Sequence, residues 1–102
     1  PATPQQAARA HFFAAECYRY LGDTQKAIEY HQMVPKNWPT YEYAWLSYAK
    51  IYEILKLQIR RGLMSEEEGR ASIRTCLERM CQGYPNCPMA SSPYTSVIFP
   101  LF

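Results

Sequence analysis

His11-Phe12-Phe13-Ala14-Ala15-Glu16-Cys17-Tyr18 and Trp45-Leu46-Ser47-Tyr48-Ala49-Lys50-Ile51-Tyr52 are the stretches that decide the fold, because they lie 34 residues apart and share one pattern. Each opens on a bulky ring, carries an alanine four positions on, and places a tyrosine three positions beyond that. The correspondence extends outwards, since Ala10 repeats as Ala44 and Leu21 as Leu55 at the same spacing. A fixed period of this length marks an architecture of stacked helix pairs, in which one unit cannot bury its apolar face alone. Packing explains the residue types. Small side chains such as Ala15 and Ala27 let two helices approach, and the rings fill the space around that contact.

Helical spacing supports the same reading along the chain. Ala7, Ala10, Ala14, Cys17, Tyr18 and Leu21 recur at intervals of three and four, which predicts a first helix over residues 5–21. Thr3 is its candidate cap and Pro4 takes the first turn, where a missing amide proton is harmless. Gly22-Asp23 then ends it, and Asp23 or Thr24 caps a second helix that Pro35 is expected to stop. A longer helix is predicted over residues 41–61, with Ala44, Trp45, Tyr48, Ile51, Tyr52, Leu55 and Ile59 forming a broad apolar stripe. Gly62 ends it. Ser65-Glu66-Glu67-Glu68 has the form of a capping box and places acids at the positive end of a fourth helix, which Gly83 and Pro85 close. Prolines at 88, 93 and 100 leave residues 86–102 as an irregular tail.

The period of 34 and the stretches Trp45-x2-Tyr48-Ala49-x2-Tyr52 and His11-x2-Ala14-Ala15-x2-Tyr18 resemble the tetratricopeptide (TPR) repeat. Leu21-Gly22-Asp23, Ala27-Ile28-Glu29-Tyr30-His31 and Pro39 fall at the family's intervals. The resemblance implies an all-α fold of antiparallel helix-turn-helix repeats, a TPR-like superhelix of about four helices. Repeat one would span about residues 8–41 and a remodelled repeat two about residues 42–85, which lacks a Gly-Asp turn after Leu55. Tyr84-Pro85-Asn86-Cys87-Pro88-Met89-Ala90 is similar to the junction between repeats in bacterial envelope proteins of the outer-membrane assembly lipoprotein type. That similarity points to a periplasmic or envelope setting. Because the chain begins at Pro1, it is expected to be a piece of a longer protein.

Composition fits a folded domain and narrows its partners. The 102 residues are 48% hydrophobic, 15% aromatic and 20% charged, which excludes general disorder. Net charge is only +2, and Arg60-Arg61 is nearly the sole basic cluster, so nucleic acid is not an expected partner. No run approaches the ~20 apolar residues of a membrane span.

Chemistry-bearing residues are few. Cys17, Cys76, Cys81 and Cys87 lack the tight pair spacing of structural zinc sites. Cys76 and Cys81 lie about 140° apart around a helix; Cys87 is placed to approach Cys81. Cys17, Cys76 and Cys81 are expected as small core residues. His11 and His31 stand where the repeat carries bulky rings, so packing accounts for both. Glu66, Glu67 and Glu68 read as a solvated helix start, and no glycine-rich phosphate loop is present. No catalytic residue, metal ligand or cofactor is expected, and the chain is not expected to be an enzyme.

The resemblance implies instead a protein-binding scaffold whose concave face takes a peptide or helix. On that face it places Arg9, Phe12, Glu16, Arg19 and Tyr20 from the first unit and Tyr43, Leu46, Lys50, Glu53 and Ile54 from the second. The terminal-carboxylate clamp of some family members is not reproduced, since Phe12 and Glu16 occupy its key places. Two other readings stay open: a structural repeat pair that caps a longer array by packing on neighbouring repeats, and a cysteine-based redox or metal protein.

Overall fold

A computed structural model of the chain describes residues 1–90. They form four α-helices, α1 (Pro4–Tyr20), α2 (Thr24–Asn37), α3 (Ala44–Arg60) and α4 (Glu66–Gly83). Among the described residues there is no strand, so the fold is all-α. Of the expected irregular tail, residues 86–90 form turns, with Cys87 donating to the Tyr84 carbonyl and Ala90 to that of Cys87. The rest of the tail, Pro93 included, lies outside the described residues.

Local sequence sets the helix ends. Thr3 Oγ1 accepts from the Gln6 amide at 3.1 Å while Gln6 Oε1 accepts from the Thr3 amide at 3.0 Å, a complete capping box. Asp23 accepts from the Lys26 amide at 3.2 Å and Ser65 from the Glu68 amide at 3.1 Å. α1 and α3 end alike. Asp23 donates to the Tyr18 carbonyl and Gly22 to that of Arg19; Leu63 donates to Gln58 and Gly62 to Ile59. This paired closure needs a left-handed residue, and Gly22 and Gly62 supply it at φ +86° and +72°.

Two boundaries differ from the sequence reading. α2 runs through Pro35 to Asn37. The ring removes one amide donor, but it stands in the last turn, and Trp38 still donates to the Val34 carbonyl at 2.8 Å. Pro35 is buried there, so packing offsets the lost bond. α3 begins at Ala44, not at Tyr41. Before it, Tyr41 donates to the Trp38 carbonyl and Ala44 to that of Tyr41. Those tight three-residue turns hold Tyr41 and Tyr43 outside the helix.

Two compact units emerge, Pro1–Ile51 and a second from Tyr52 onward, and the division falls within α3. In the first, α1 and α2 form a helix hairpin joined through Leu21, Gly22 and Asp23. Ala8, Ala15, Ala27 and Ala44 are wholly buried, so the core of this unit is built largely from side chains of one carbon. Rings close its edge: His11 lies 4.8 Å from Trp38 and 5.7 Å from Tyr30, and Tyr30 lies 5.1 Å from Tyr18. The second unit buries Ile73, Cys76, Leu77 and Met80 along one face of α4. Gly69 stands there against the Ile59 side chain, closer than any side chain at residue 69 would allow.

Candidate functional site

α1 brings Arg9, Phe12 and Phe13 round at helical intervals, and the turns before α3 bring Tyr41 and Tyr43. Between them lies a cleft of about 680 Å³ within the first unit. Thr3, Gln5, Gln6, Arg9, Phe12 and Phe13 of the α1 side line it. Tyr41, Glu42, Tyr43 and Leu46 form the facing side. Its size falls within the range of ordinary ligand pockets, roughly 300–1,000 Å³. Phe13 and Tyr43 are about half exposed there, at 54% and 46%, whereas Phe12 is sunk to 9%. The Arg9 guanidinium lies 5.4 Å from the Phe13 ring centroid, within cation–π range. Partial burial raises the Tyr41 hydroxyl above its usual pKa, and the nearby Arg9 charge works against that rise.

Phe12 links the cleft to a buried polar cluster, its ring standing edge-on to His31 at 4.9 Å. His31 on α2 is fully buried. Its Nδ1 meets Ser47 Oγ of α3 at 3.3 Å, and its Nε2 faces Glu16 Oε2 of α1 at 3.6 Å, too long for a hydrogen bond. Glu16 also meets Arg19 and Lys50, each at 3.5 Å. Three helices are thus tied at one point. Burial drives the His31 pKa down to about 4; the Glu16 charge pulls it upwards, and Lys50 and Arg19 push it down again. The imidazole is therefore neutral at pH 7, and its approach to Glu16 is not an ion pair. A Ser–His–Glu trio has the composition of a hydrolytic relay, but Ser47 has no exposed surface from which to reach a substrate. The trio lies where α1, α2 and α3 meet, with His31 bonded to Ser47 and Glu16 paired with Lys50.

The residues expected on a groove divide among several places. Arg9, Phe12, Tyr43 and Leu46 meet in the cleft. Glu16, Arg19 and Lys50 are half-buried in the charge cluster. Tyr20 is 86% exposed and lines neither. Glu53 and Ile54 fall in the second unit, where Glu53 is exposed and Ile54 is buried, its side chain already committed to packing. Phe13, Tyr41, His31 and Ser47 belong to the site and were not expected in it. Phe13 had a signal in the sequence, as the ring directly beside Phe12; Ser47, a small polar residue in an aromatic helix, had a weaker one.

The cysteines differ from expectation in one respect. Cys76 and Cys87 are buried and Cys81 is partly so, but Cys17 is exposed and forms no part of a core. All four are free thiols. Burial pushes the Cys76 thiol up to about 12, and it raises Cys81, to which the neighbouring Cys87 adds. Among the described residues no three His, Cys, Asp or Glu side chains gather as a metal site would require, and no helix is long and apolar enough to cross a membrane. Comparison with protein-family models, with curated proteins and with solved structures finds no match for this chain.

Proposed function

We propose that this chain is a protein-interaction module of the tetratricopeptide-like kind, holding a peptide or helix of a partner in the cleft between α1 and the entry to α3. The observation that carries this reading is the convergence of Arg9, Phe12, Tyr43 and Leu46, which the resemblance to the repeat family implies for a binding face, on one open cleft. The lining supports it chemically. Rings with half their surface in water, one cation and a rim of amides make a surface that covers apolar anchors and fixes them with a few polar contacts. The clasp at His31 supports it mechanically, because a rigid wall lowers the ordering cost of binding.

Selection of a displayed peptide library against the full chain tests the proposal. Selected peptides are expected to shift the amide resonances of Arg9, Phe13 and Tyr43, and to lose about tenfold in affinity when Phe13→Ala and Tyr43→Ala are combined. Gln32→Ala, at an exposed position on α2 outside the cleft lining, is the control and leaves affinity unchanged. Phe13 and Tyr43 are exposed enough for the double variant to fold. Peptides that bind the double variant as well as the parent chain, or a library that yields no binders, would overturn the proposal.

A further inference from the structure

The cations of this chain are held in different ways. Arg19 and Lys50 converge on Glu16, Arg70 pairs with Glu66 and Arg74 with Glu78. Arg9, in contrast, has no carboxylate partner among the described residues, although it lines the same cleft as Glu42. Its guanidinium lies over the Phe13 ring, and its charge is felt at the Tyr41 hydroxyl. An aromatic face engages the guanidinium through its charge, and the in-plane N–H groups stay available as a fork that matches a carboxylate. Beside that fork lie Phe12, Phe13, Tyr43 and Leu46, whose rings and aliphatic surface can cover an apolar side chain.

We infer that the cleft takes a partner peptide segment bearing one carboxylate side chain within a helical turn of an aromatic or large aliphatic side chain. The carboxylate meets the Arg9 guanidinium, and the apolar side chain packs on Phe13, Tyr43 and Leu46. The inference rests on the proposed role of the cleft as a partner site. Charge complementarity carries it: a cation without a carboxylate partner, beside Phe13, Tyr43 and Leu46, specifies one acid beside one anchor. Glu42 adds a limit, because its negative charge on the same lining disfavours an acidic run. Both halves are needed, since a charge pair at an exposed site contributes little by itself and an anchor without it lacks direction.

Three blocked alanine-based heptapeptides provide the probes: one with a glutamate and a phenylalanine three positions apart, one with glutamine for the glutamate, and one with alanine for the phenylalanine. Binding is read from amide shifts in the isotope-labelled full chain. The glutamate–phenylalanine peptide is expected to bind about tenfold tighter than either relative, with the largest shifts at Arg9, Phe13 and Tyr43. Arg9→Gln, at an exposed position, brings the glutamate and glutamine peptides to equal affinity while keeping the preference for phenylalanine. Equal binding of those two peptides to the parent chain, or a glutamate preference that survives Arg9→Gln, would overturn the inference. If none of the three shifts the cleft while library-selected peptides do, the carboxylate rule fails and the partner site stands. If the library fails too, both fall.

Discussion

The unit Pro1–Ile51 buries a histidine and a serine among alanines, whereas the unit from Tyr52 onward buries Ile54, Leu55, Ile73, Leu77 and Met80. Among the described residues, the second buries Tyr52, Cys76 and Cys87 but no histidine, serine or charged side chain. Alanines let helices approach but contribute little area each, so the first unit adds directed contacts, the His31–Ser47 hydrogen bond and the Glu16–Lys50 ion pair. The second relies on volume. One lesson is that the aromatic unit carries the cleft and most of the matches at a spacing of 34, whose last pairs, Tyr18–Tyr52 and Leu21–Leu55, reach into the second unit.

The largest test of this contrast is Leu77→Ala. Leu77 is fully buried, and its truncation is expected to cost about 2–5 kcal/mol. Native-state hydrogen exchange should then show α4 opening before α1 and α2; equal loss of protection in all helices would erase the distinction between the units. The first unit is tested through pH. His31 in the folded chain titrates at about 4, below its usual 6.5, so between these values the unfolded chain binds the extra proton. Stability from this group is therefore complete above about pH 6.5 and lost as pH falls towards 4, a change on the order of 3 kcal/mol. His31→Phe should flatten that part of the acid profile in urea titrations, and an unchanged profile would remove the clasp from the account.

Gly69→Ala sharpens the volume side. A methyl at residue 69 would clash with Cγ1 and Cδ1 of Ile59. Overpacking of this kind costs roughly 1–3 kcal/mol, against about 1 kcal/mol gained in helix propensity. A net loss near 1 kcal/mol is expected in chemical denaturation, and the Ile59→Ala background should abolish it. The smallest effect belongs to the surface. Arg74 and Glu78 meet at 3.0 Å with about half of each side chain exposed, so Arg74→Ala should cost under about 0.5 kcal/mol and less in salt.

Much of the fold was legible because it is local. Leu21-Gly22-Asp23 forecasts a helix end from glycine's backbone freedom, and Ser65 announces a cap by its place before three glutamates. Pro35 misled because a proline in the last turn removes only one bond, and whether a helix survives it depends on packing that no neighbouring residue reveals. The late start of α3 has the same origin: Tyr41 and Tyr43 look helical by spacing, and backbone turns from Trp38 hold them out. Four of the ten cleft residues, Arg9, Phe12, Tyr43 and Leu46, followed from the resemblance to the repeat. His31, Ser47 and Glu16 could not be read as a set, because they stand 15 and 16 residues apart on three helices and meet only through tertiary packing.

Cys17 stands four residues beyond Phe13 on α1, which places both on one face of the helix. It is the exposed thiol among four, while burial holds Cys76 near 12 and raises Cys81. Alkylating reagents attack the accessible thiolate first. The natural sequence thus carries its own attachment point for a fluorophore or spin label, one helical turn from the cleft wall, from which the arrival of a ligand can be watched without altering a single residue.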